Sequence, residues 1–525
     1  MTAWWRLNSA LLISRLVSGT CRLFRYPGTS LPGVIALKIC PDAVSLMAPA
    51  YDRVIAITGT NGKTTTANLL AHFLRAAGYS VAHNSLGANM LPGVATALFR
   101  DRRLRGQSSS RIALLEVDEG SVGKVFAAAR PDLVVVTNYF RDQLDRYWEL
   151  ERTTALLREA VARLPRVSLV LNADDPLVAA IGQGQAQDAR YFGVLKDIQG
   201  SGSENSKKIE AVHGADPEIG SAGPMDGEPA AIAGLVNACE TREGRFCQHC
   251  GTALTYNYFH FGQLGDYYCS NCGFRRPALD YAAWGLSESE LLGMSITVQG
   301  RSGSGEALSA SKPSAGHRSA ISIRQWSASA AAPRQLKLNA PLRGFYNVYN
   351  ILAATAVAVE MGVGDPVIQS AVQTYKPATG RMQEYTIGGR HCTLALIKNP
   401  VGANEVLKTL IQTAGSKALV IAINDLAADG RDVSWLWDAD FACLAHPDIS
   451  KIICAGLRAA DFAVCLKYAG VPLERIELVP ERAASLRRLI AQPADKLYVL
   501  ATYTNLFDYA KLLGHRGGGT EQHAH

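Results

Sequence analysis

At 525 residues the chain has room for two to four domains, and 48% hydrophobic against 19% charged residues is a globular composition, not a disordered one. The net charge of +7 is modest and spread along the chain, with no basic stripe interleaved with aromatics, which argues against nucleic acid as a partner. No stretch reaches the roughly 20 apolar residues of a membrane-spanning helix.

The N-terminus, Trp4-Trp5-Arg6 and then Leu11-Leu12-Ile13, begins like an export signal, but Arg15 and Arg22 break the apolar run. It reads as an amphipathic helix packed on the next domain of a cytoplasmic protein. Peripheral contact with the inner face of a membrane through Trp4 and Trp5 stays open.

Next comes Val54-Ile55-Ala56-Ile57, leading into Thr58-Gly59-Thr60-Asn61-Gly62-Lys63-Thr64-Thr65-Thr66. An apolar strand, a glycine turn carrying a lysine and a helix start together make a phosphate cradle. Gly59 and Gly62 let backbone N–H groups face inward, Lys63 adds a point charge for the β/γ-phosphates, and Thr64 or Thr65 can ligate Mg²⁺. The spacing is G-x-x-G-K-T-T, because Ile57 stands where the longer phosphate loop needs glycine. Leu69, Leu70, Phe73, Leu74 and Ala77 at helical spacing, with Gly78 as the stop, predict the helix that follows. A ligand-free glycine turn is the plain alternative, and a lysine followed by three threonines argues against it.

The run Ile112-Ala113-Leu114-Leu115 predicts a strand ending in Glu116-Val117-Asp118-Glu119, and in open α/β sheets that end holds the ligand. Glu116 is the preferred Mg²⁺ ligand; Asp118 and Glu119 are substitutes for it or caps of the next helix. Strands over 133–137 and 167–171 end in Asn138 and in Asn172-Ala173-Asp174-Asp175. Asn172 can pair through its amide with a base edge, while Asn138, Asp142 and Asp145 can orient phosphate or metal.

Cys247-x2-Cys250 and Cys269-x2-Cys272 have the spacing of two knuckles around a tetrahedral Zn²⁺, each followed by a glycine, Gly251 or Gly273. Four thiolates fill every coordination position, so the metal is structural. Cys392, Cys443, Cys454 and Cys465 lie singly in apolar runs, as buried thiols of a reducing compartment do. Residues 199–234 and 300–333, rich in Gly, Ser, Ala and Pro, read as flexible inserts flanking the ribbon. The expected architecture is therefore α/β. An N-terminal segment (1–50) precedes a central P-loop domain (51–383) with a mostly parallel sheet and a four-cysteine zinc ribbon inserted at about 243–280. A smaller α/β domain (384–525) follows.

Several motifs, in order, resemble those of the Mur ligase superfamily: the phosphate loop; Thr137-Asn138 with Asp142-Gln143-Leu144-Asp145; Asn172-Ala173-Asp174-Asp175; Asn347-Val348-Tyr349-Asn350; and Gly380-Arg381-Met382. That superfamily uses ATP to activate a carboxylate as an acyl phosphate, which an amine then attacks. Gln143 departs from the histidine these ligases commonly carry and puts the second metal's ligands in question. Three further features are similar to the MurT branch. They are Gly28-Thr29-Ser30-Leu31-Pro32-Gly33-Val34-Ile35-Ala36-Leu37, the four-cysteine ribbon, and the segments Lys398-Asn399-Pro400-Val401-Gly402 and Asn424-Asp425 through Asp429-Gly430-Arg431-Asp432-Val433-Ser434-Trp435. The likeness spans most of the chain outside the two inserts and the tail after Arg516.

This resemblance implies an ATP-dependent carbon–nitrogen ligase of peptidoglycan synthesis. It would amidate the D-glutamate α-carboxylate of the lipid II stem peptide to D-isoglutamine, with ammonia from a GatD-like glutamine amidotransferase subunit. Carried over by residue, it implies catalytic roles for Lys63, Glu116 and Asp432. ATP contacts fall to Gly59, Thr60, Asn61, Gly62, Lys63, Thr64, Thr65, Asn138 and Asn172, and Mg²⁺ to Thr64 and Glu116. Asp432 would complete the partner's Cys–His pair, with Asp429 and Asp425 less favoured, or would merely cap the helix starting at Val433. The chain offers no G-x-C-x-G elbow of its own, Cys454-Ala455-Gly456 being the nearest approach. An amino-acid-adding Mur or folylpolyglutamate-type ligase leaves the ribbon unexplained. Lys63, Thr64, Glu116 and Asn172 together argue against a non-catalytic zinc-ribbon module. Lys63→Ala is expected to abolish ATP turnover with the fold intact.

Overall fold

The computed structural model describes residues 2–24, 28–84, 88–102, 108–141, 150–164, 166–183, 188–196, 244–289, 293–300, 334–377 and 379–516. Asp142, Gln143 and Asp145 and nearly all of both inserts lie outside them.

The apolar runs become β1 (Arg53–Thr58), β3 (Ile112–Glu116), β4 (Leu133–Val136) and β5 (Ser168–Asn172), buried along nearly their whole lengths. Continuous burial is the mark of parallel strands covered on both faces. With β2 (Val81–His83), β6 (Asp188–Val194), β9 (Tyr281–Ser289), β10 (Gly293–Gly300) and β11 (Arg334–Ala340) they form a sheet of order β11-β10-β9-β6-β5-β4-β1-β3-β2. Pairing is parallel from β2 to β9, and β10 and β11 close that edge antiparallel. Along β10 buried and half-buried residues alternate, as in a strand with one open face.

One face of this sheet is covered by the helix Lys63–Ala76, which buries Leu69, Leu70, Phe73 and Leu74, and by the helices Tyr346–Glu360 and Asp365–Thr374. Against the other face pack α1 (Thr2–Leu23), α2 (Leu31–Ile39) and the helix Leu91–Asp101, among others. Among the described residues no single helix is long and apolar enough to cross a membrane. Leu31–Ile39 and Ala43–Ala50 reach that measure only as a pair bent by 91°.

A second sheet of order β12-β13-β17-β14-β15-β16 comprises Gln383–Ile387, Arg390–Leu396, Lys496–Ala501, Lys417–Ala422, Ile449–Ala455 and Ile476–Leu478. All its pairs are parallel except β12 with β13. Between β6 and β9, which are neighbours in the large sheet, the chain leaves to build a hairpin of β7 (Thr255–Phe261) and β8 (Leu264–Tyr268) and then returns. That hairpin docks through Tyr267, Cys247, Cys269 and Phe274 on Ala179 and Ala180 of the helix Pro176–Gly182.

Candidate active site

Strand β1 lies between β3 and β4, so the strand order reverses there, and the carboxyl ends of these strands frame a crevice. The loop leaving β1 is held from β4: Asn138 O accepts from Thr60 N at 2.8 Å, and Asn138 Oδ1 accepts from Asn61 N at 2.9 Å. Thr60 Oγ1 both donates to Phe140 O and accepts from Phe140 N, each at 3.1 Å. Gly59 and Gly62 adopt φ of +123° and +85°. A Cβ on Gly62 would stand 2.1 Å from Asn350 Oδ1. Gly62→Ala is therefore expected to cost about 1–3 kcal/mol through strain and to displace the loop, measurable by urea melts and nucleotide titration.

The N–H groups of Gly62, Lys63 and Thr64 belong to a helix's opening turn, where no preceding carbonyl serves them, and they suit an anion. Lys63 is buried and donates to Gly59 O, to Thr60 O at 3.1 Å and to Glu119 Oε2 at 2.8 Å. Burial works against its charge. Glu119, then Asp118 and Glu116, outweigh that penalty and raise its pKa. Thr64 Oγ1 donates to Glu116 Oε1 at 3.0 Å, while Glu116 Oε2 is buried with no hydrogen-bond partner among the described residues. Burial raises the Glu116 pKa, opposed first by Lys63 and then by Thr64 and Arg381. An orphaned buried carboxylate oxygen beside a hydroxyl fits a divalent cation, so Glu116 and Thr64 could hold Mg²⁺. Asp118 opens the short turn Glu119–Ser121 without a side-chain cap, so helix capping does not explain it.

Two expectations change. Asn172 is fully buried; its Nδ2 donates to Thr137 O at 2.8 Å and its Oδ1 accepts from Asp174 N at 3.0 Å. It pins the ends of β4 and β5 together and has no exposed amide edge for a base. Asn138 spends its side chain on the loop rather than on phosphate, donating also to Asn61 O at 3.2 Å.

Beside the loop a cleft opens between the two sheets, lined from the loop by Asn61 and Gly62 and from the second sheet by Ala395 and Leu396. Asn350, Arg381, Lys398 and Glu405 give it polar groups, and Phe261 and Val401 give it apolar walls. Asn399 Nδ2 donates to Asn61 Oδ1 at 3.1 Å, joining the second sheet's side of the cleft to the loop. Met382, also lining the cleft, holds φ of 55°, a left-handed conformation costing an L-residue about 1–2 kcal/mol.

The three candidate aspartates of the smaller sheet differ. Asp429 is buried and accepts from Thr504 N at 2.7 Å and Thr504 Oγ1 at 2.6 Å; Asp425 pairs with Arg458 at 2.7 Å. Asp432 is half-buried and accepts from Ser434 N at 2.8 Å, capping the turn Ser434–Trp437.

The sulfurs of Cys247, Cys250, Cys269 and Cys272 all lie within 4.8 Å of one another, with Cys247–Cys272 and Cys250–Cys269 at 3.5 Å. A tetrahedral Zn²⁺ with its usual bond lengths needs sulfurs about 3.8 Å apart, so the cluster fits that metal. Gly251 N and Gly273 N donate back to Cys247 O at 2.9 Å and Cys269 O at 3.1 Å, and both glycines take φ of 74°, closing two equivalent knuckles.

Residues 57–214 match the family model for the Mur ligase middle domain, and residues 396–506 match that for the MurT ligase C-terminal domain. Lipid II isoglutaminyl synthase (glutamine-hydrolyzing) subunit MurT of Staphylococcus aureus (strain N315) is 31% identical over 474 residues, 90% of each chain. This chain belongs to the MurT family. The MurT subunit of Streptococcus pneumoniae (strain ATCC BAA-255 / R6) is 30% identical over 489 residues, 93% of each chain. A pseudomurein peptide ligase type C from Methanothermus fervidus shares the fold at a TM-score of 0.58 and 18% identity, over 88% of this chain and 78% of that one. MurT membership makes the chain an ATP-dependent ligase of the Mur type. In this MurT chain Lys63, Thr64 and Glu116, named from the sequence as site residues, stand together at the loop. The sequence reading passed over Asn84, whose amide grips the Glu116 backbone through two 2.8 Å hydrogen bonds, and Phe261, which reaches the cleft from the ribbon.

Proposed function

We propose that this chain is the synthetase subunit of a lipid II isoglutaminyl synthase, converting the D-glutamate α-carboxylate of the stem peptide to the amide with ATP. Ammonia comes from a GatD-like glutamine amidotransferase subunit. The observation that carries this reading is identity of about 30% over 90% or more of both chains with subunits of that name, each glutamine-hydrolyzing as a complex. Cys454 supports a separate glutaminase, since burial pushes its thiol up to about 12 and leaves it no nucleophile.

Lys63 and the opening turn of its helix bind the triphosphate and neutralise charge as the substrate carboxylate attacks the γ-phosphorus in line. Bound at Glu116 and Thr64, Mg²⁺ would supply further charge neutralisation on the phosphates. Asn84 fixes the Glu116 backbone, and Asn138 fixes the loop. Ammonia attacks the acyl carbon of the acyl phosphate, inorganic phosphate leaves with the electron pair of the broken C–O bond, and the nitrogen gives up a proton to yield the amide. The cleft between the central domain (51–383) and the C-terminal domain (384–525) shields that intermediate from water. Zn²⁺ at the four cysteines is structural. The protein works in the cytoplasm, at the inner face of the membrane that carries lipid II.

Asp432 is the residue we assign to the partner's Cys–His pair, because Asp429 and Asp425 are committed to Thr504 and Arg458. Asp432→Asn is expected to lower glutamine-driven amidation about a hundredfold or more while sparing ammonia-driven amidation. Equal loss with both nitrogen sources would remove the assignment. The reading as a whole is tested by ATP turnover with lipid II and glutamine, with and without the glutaminase. Turnover that demands an amino acid in place of ammonia would reject it.

A further inference from the structure

Helix α1 has two apolar faces, and among the described residues only one is covered. Leu7, Ala10, Leu11 and Cys21 are buried against the neighbouring helices. Trp5, Leu12, Leu16 and Leu23 are 72%, 51%, 71% and 80% exposed, with Trp4 beside them at 61%. At 3.6 residues per turn these four fall on one stripe within roughly 40° of each other, turned away from the packed face. Scattered exposed leucines are ordinary on a protein surface, whereas four large apolar side chains sharing one stripe of a six-turn helix are not.

The charge on this helix has one sign. Its 22 residues include Arg6, Arg15 and Arg22 and no Asp or Glu. Arg6 donates to Ile39 O at 3.1 Å and Arg15 to Arg102 O at 2.6 Å, carbonyl contacts that hold the arms without neutralising them. Arg22 lies close to Arg100, adding to the same field. The adjoining helix α2 also leaves Leu31 and Val34 exposed.

We propose that the outer face of α1 docks on an anionic lipid bilayer, Trp5 and the leucine row entering the headgroup boundary and the arginines meeting lipid phosphates. Tryptophan with aliphatic residues on one side and arginine without acid alongside is the chemistry of helices that lie in a membrane interface. A symmetric second copy would set arginine against arginine. The helix lies on the bilayer and does not cross it. The surface stands on α1 alone; the amidation reading supplies its use, holding the cleft near a lipid-anchored substrate.

The test is co-sedimentation of the full chain with phosphatidylcholine vesicles, with and without phosphatidylglycerol, with ATP binding followed in parallel. The chain is expected to pellet with the anionic vesicles and to be released by salt. Leu12→Ser/Leu16→Ser is expected to weaken that partition about tenfold or more, with the circular dichroism spectrum and ATP binding retained. Arg22→Gln is expected to weaken it by a smaller factor and to reduce the preference for phosphatidylglycerol. Wild-type protein left in the supernatant, or a double variant that pellets equally, overturns the surface. Wild-type self-association that the double variant loses overturns it in favour of a second copy. Vesicle binding without ATP binding would sustain the surface and count against the amidation reading instead.

Discussion

Lys63→Ala is expected to lower ATP turnover by about a thousandfold or more, because it removes the loop's own ammonium from a transition state made almost wholly of phosphate charge. The same change is expected to cost stability, against the sequence-based expectation of an undisturbed fold. The ammonium has three donors, and Gly59 O, Thr60 O and Glu119 Oε2 take them. Truncation leaves the Glu119 carboxylate, only 3% exposed, without its counter-charge, and breaking a buried pair from one side costs about 3–5 kcal/mol. Because the folded state raises the Lys63 pKa, the pair's contribution is complete below the ordinary lysine value of 10.5 and fades only as pH rises beyond it, so at neutral pH the loss is felt in full. The double variant Lys63→Ala/Glu119→Gln separates the two effects. It should recover much of the lost stability in urea melts while ADP release stays near zero. Turnover close to wild type in either variant would remove Lys63 from the chemistry.

The parts of this site that the sequence displayed are those governed by local rules. A strand of continuous apolar residues, two glycines forced to positive φ, and a helix stopping at Gly78 (φ 87°) are all written within about one helix length of chain. The parts it concealed depend on burial and on distant partners. Asn172 looked like a ligand-facing amide because strand ends in such sheets carry ligand groups. Nothing in its neighbours announced that Thr137 O and Asp174 N would absorb it. Among the three carboxylates of 116–119 the sequence singled out Glu116 to join Thr64 at the cation but gave no means of telling which would face Lys63. The structure gives the first to Glu119 and the second to Glu116, a division set by which side chains turn toward the loop beyond β3. Asn84 acts on Glu116 only because β2 pairs in parallel register with β3, Val81 opposite Ile112, a long-range fact. Phe261 is one aromatic among several in the ribbon, with nothing local to set it apart, and its place in the cleft follows from where that ribbon docks.

That docking makes the metal centre consequential for the cleft. From the ribbon, Gly265 N donates to Asp174 O at 2.9 Å, Tyr267 OH donates to Ala173 O at 3.1 Å, and Gln263 reaches Tyr139 O. Arg276, just past the second knuckle, pairs with Asp174, which also accepts from Tyr349 OH at 2.7 Å on the helix that carries Asn350. Phe261 packs edge-on against Phe345 and Tyr349 and stacks on Phe140. Such a small hairpin has little apolar core of its own, and in comparable ribbons metal binding supplies about 10–16 kcal/mol of folding free energy. Cys250→Ser, or chelation, is accordingly expected to strip the metal, lower solubility and release Phe261 from the cleft, so that nucleotide affinity falls together with ribbon order. Phe261→Ala isolates the last step: metal content should stay at the wild-type level while the nucleotide Kd rises about tenfold, the equivalent of about 1.4 kcal/mol. Metal analysis and nucleotide titration on the same samples check both. If affinity survives complete metal loss, the ribbon's metal is a decoration, and the wall Phe261 provides is held in place by its ring contacts and the ribbon's hydrogen bonds to the sheet without it.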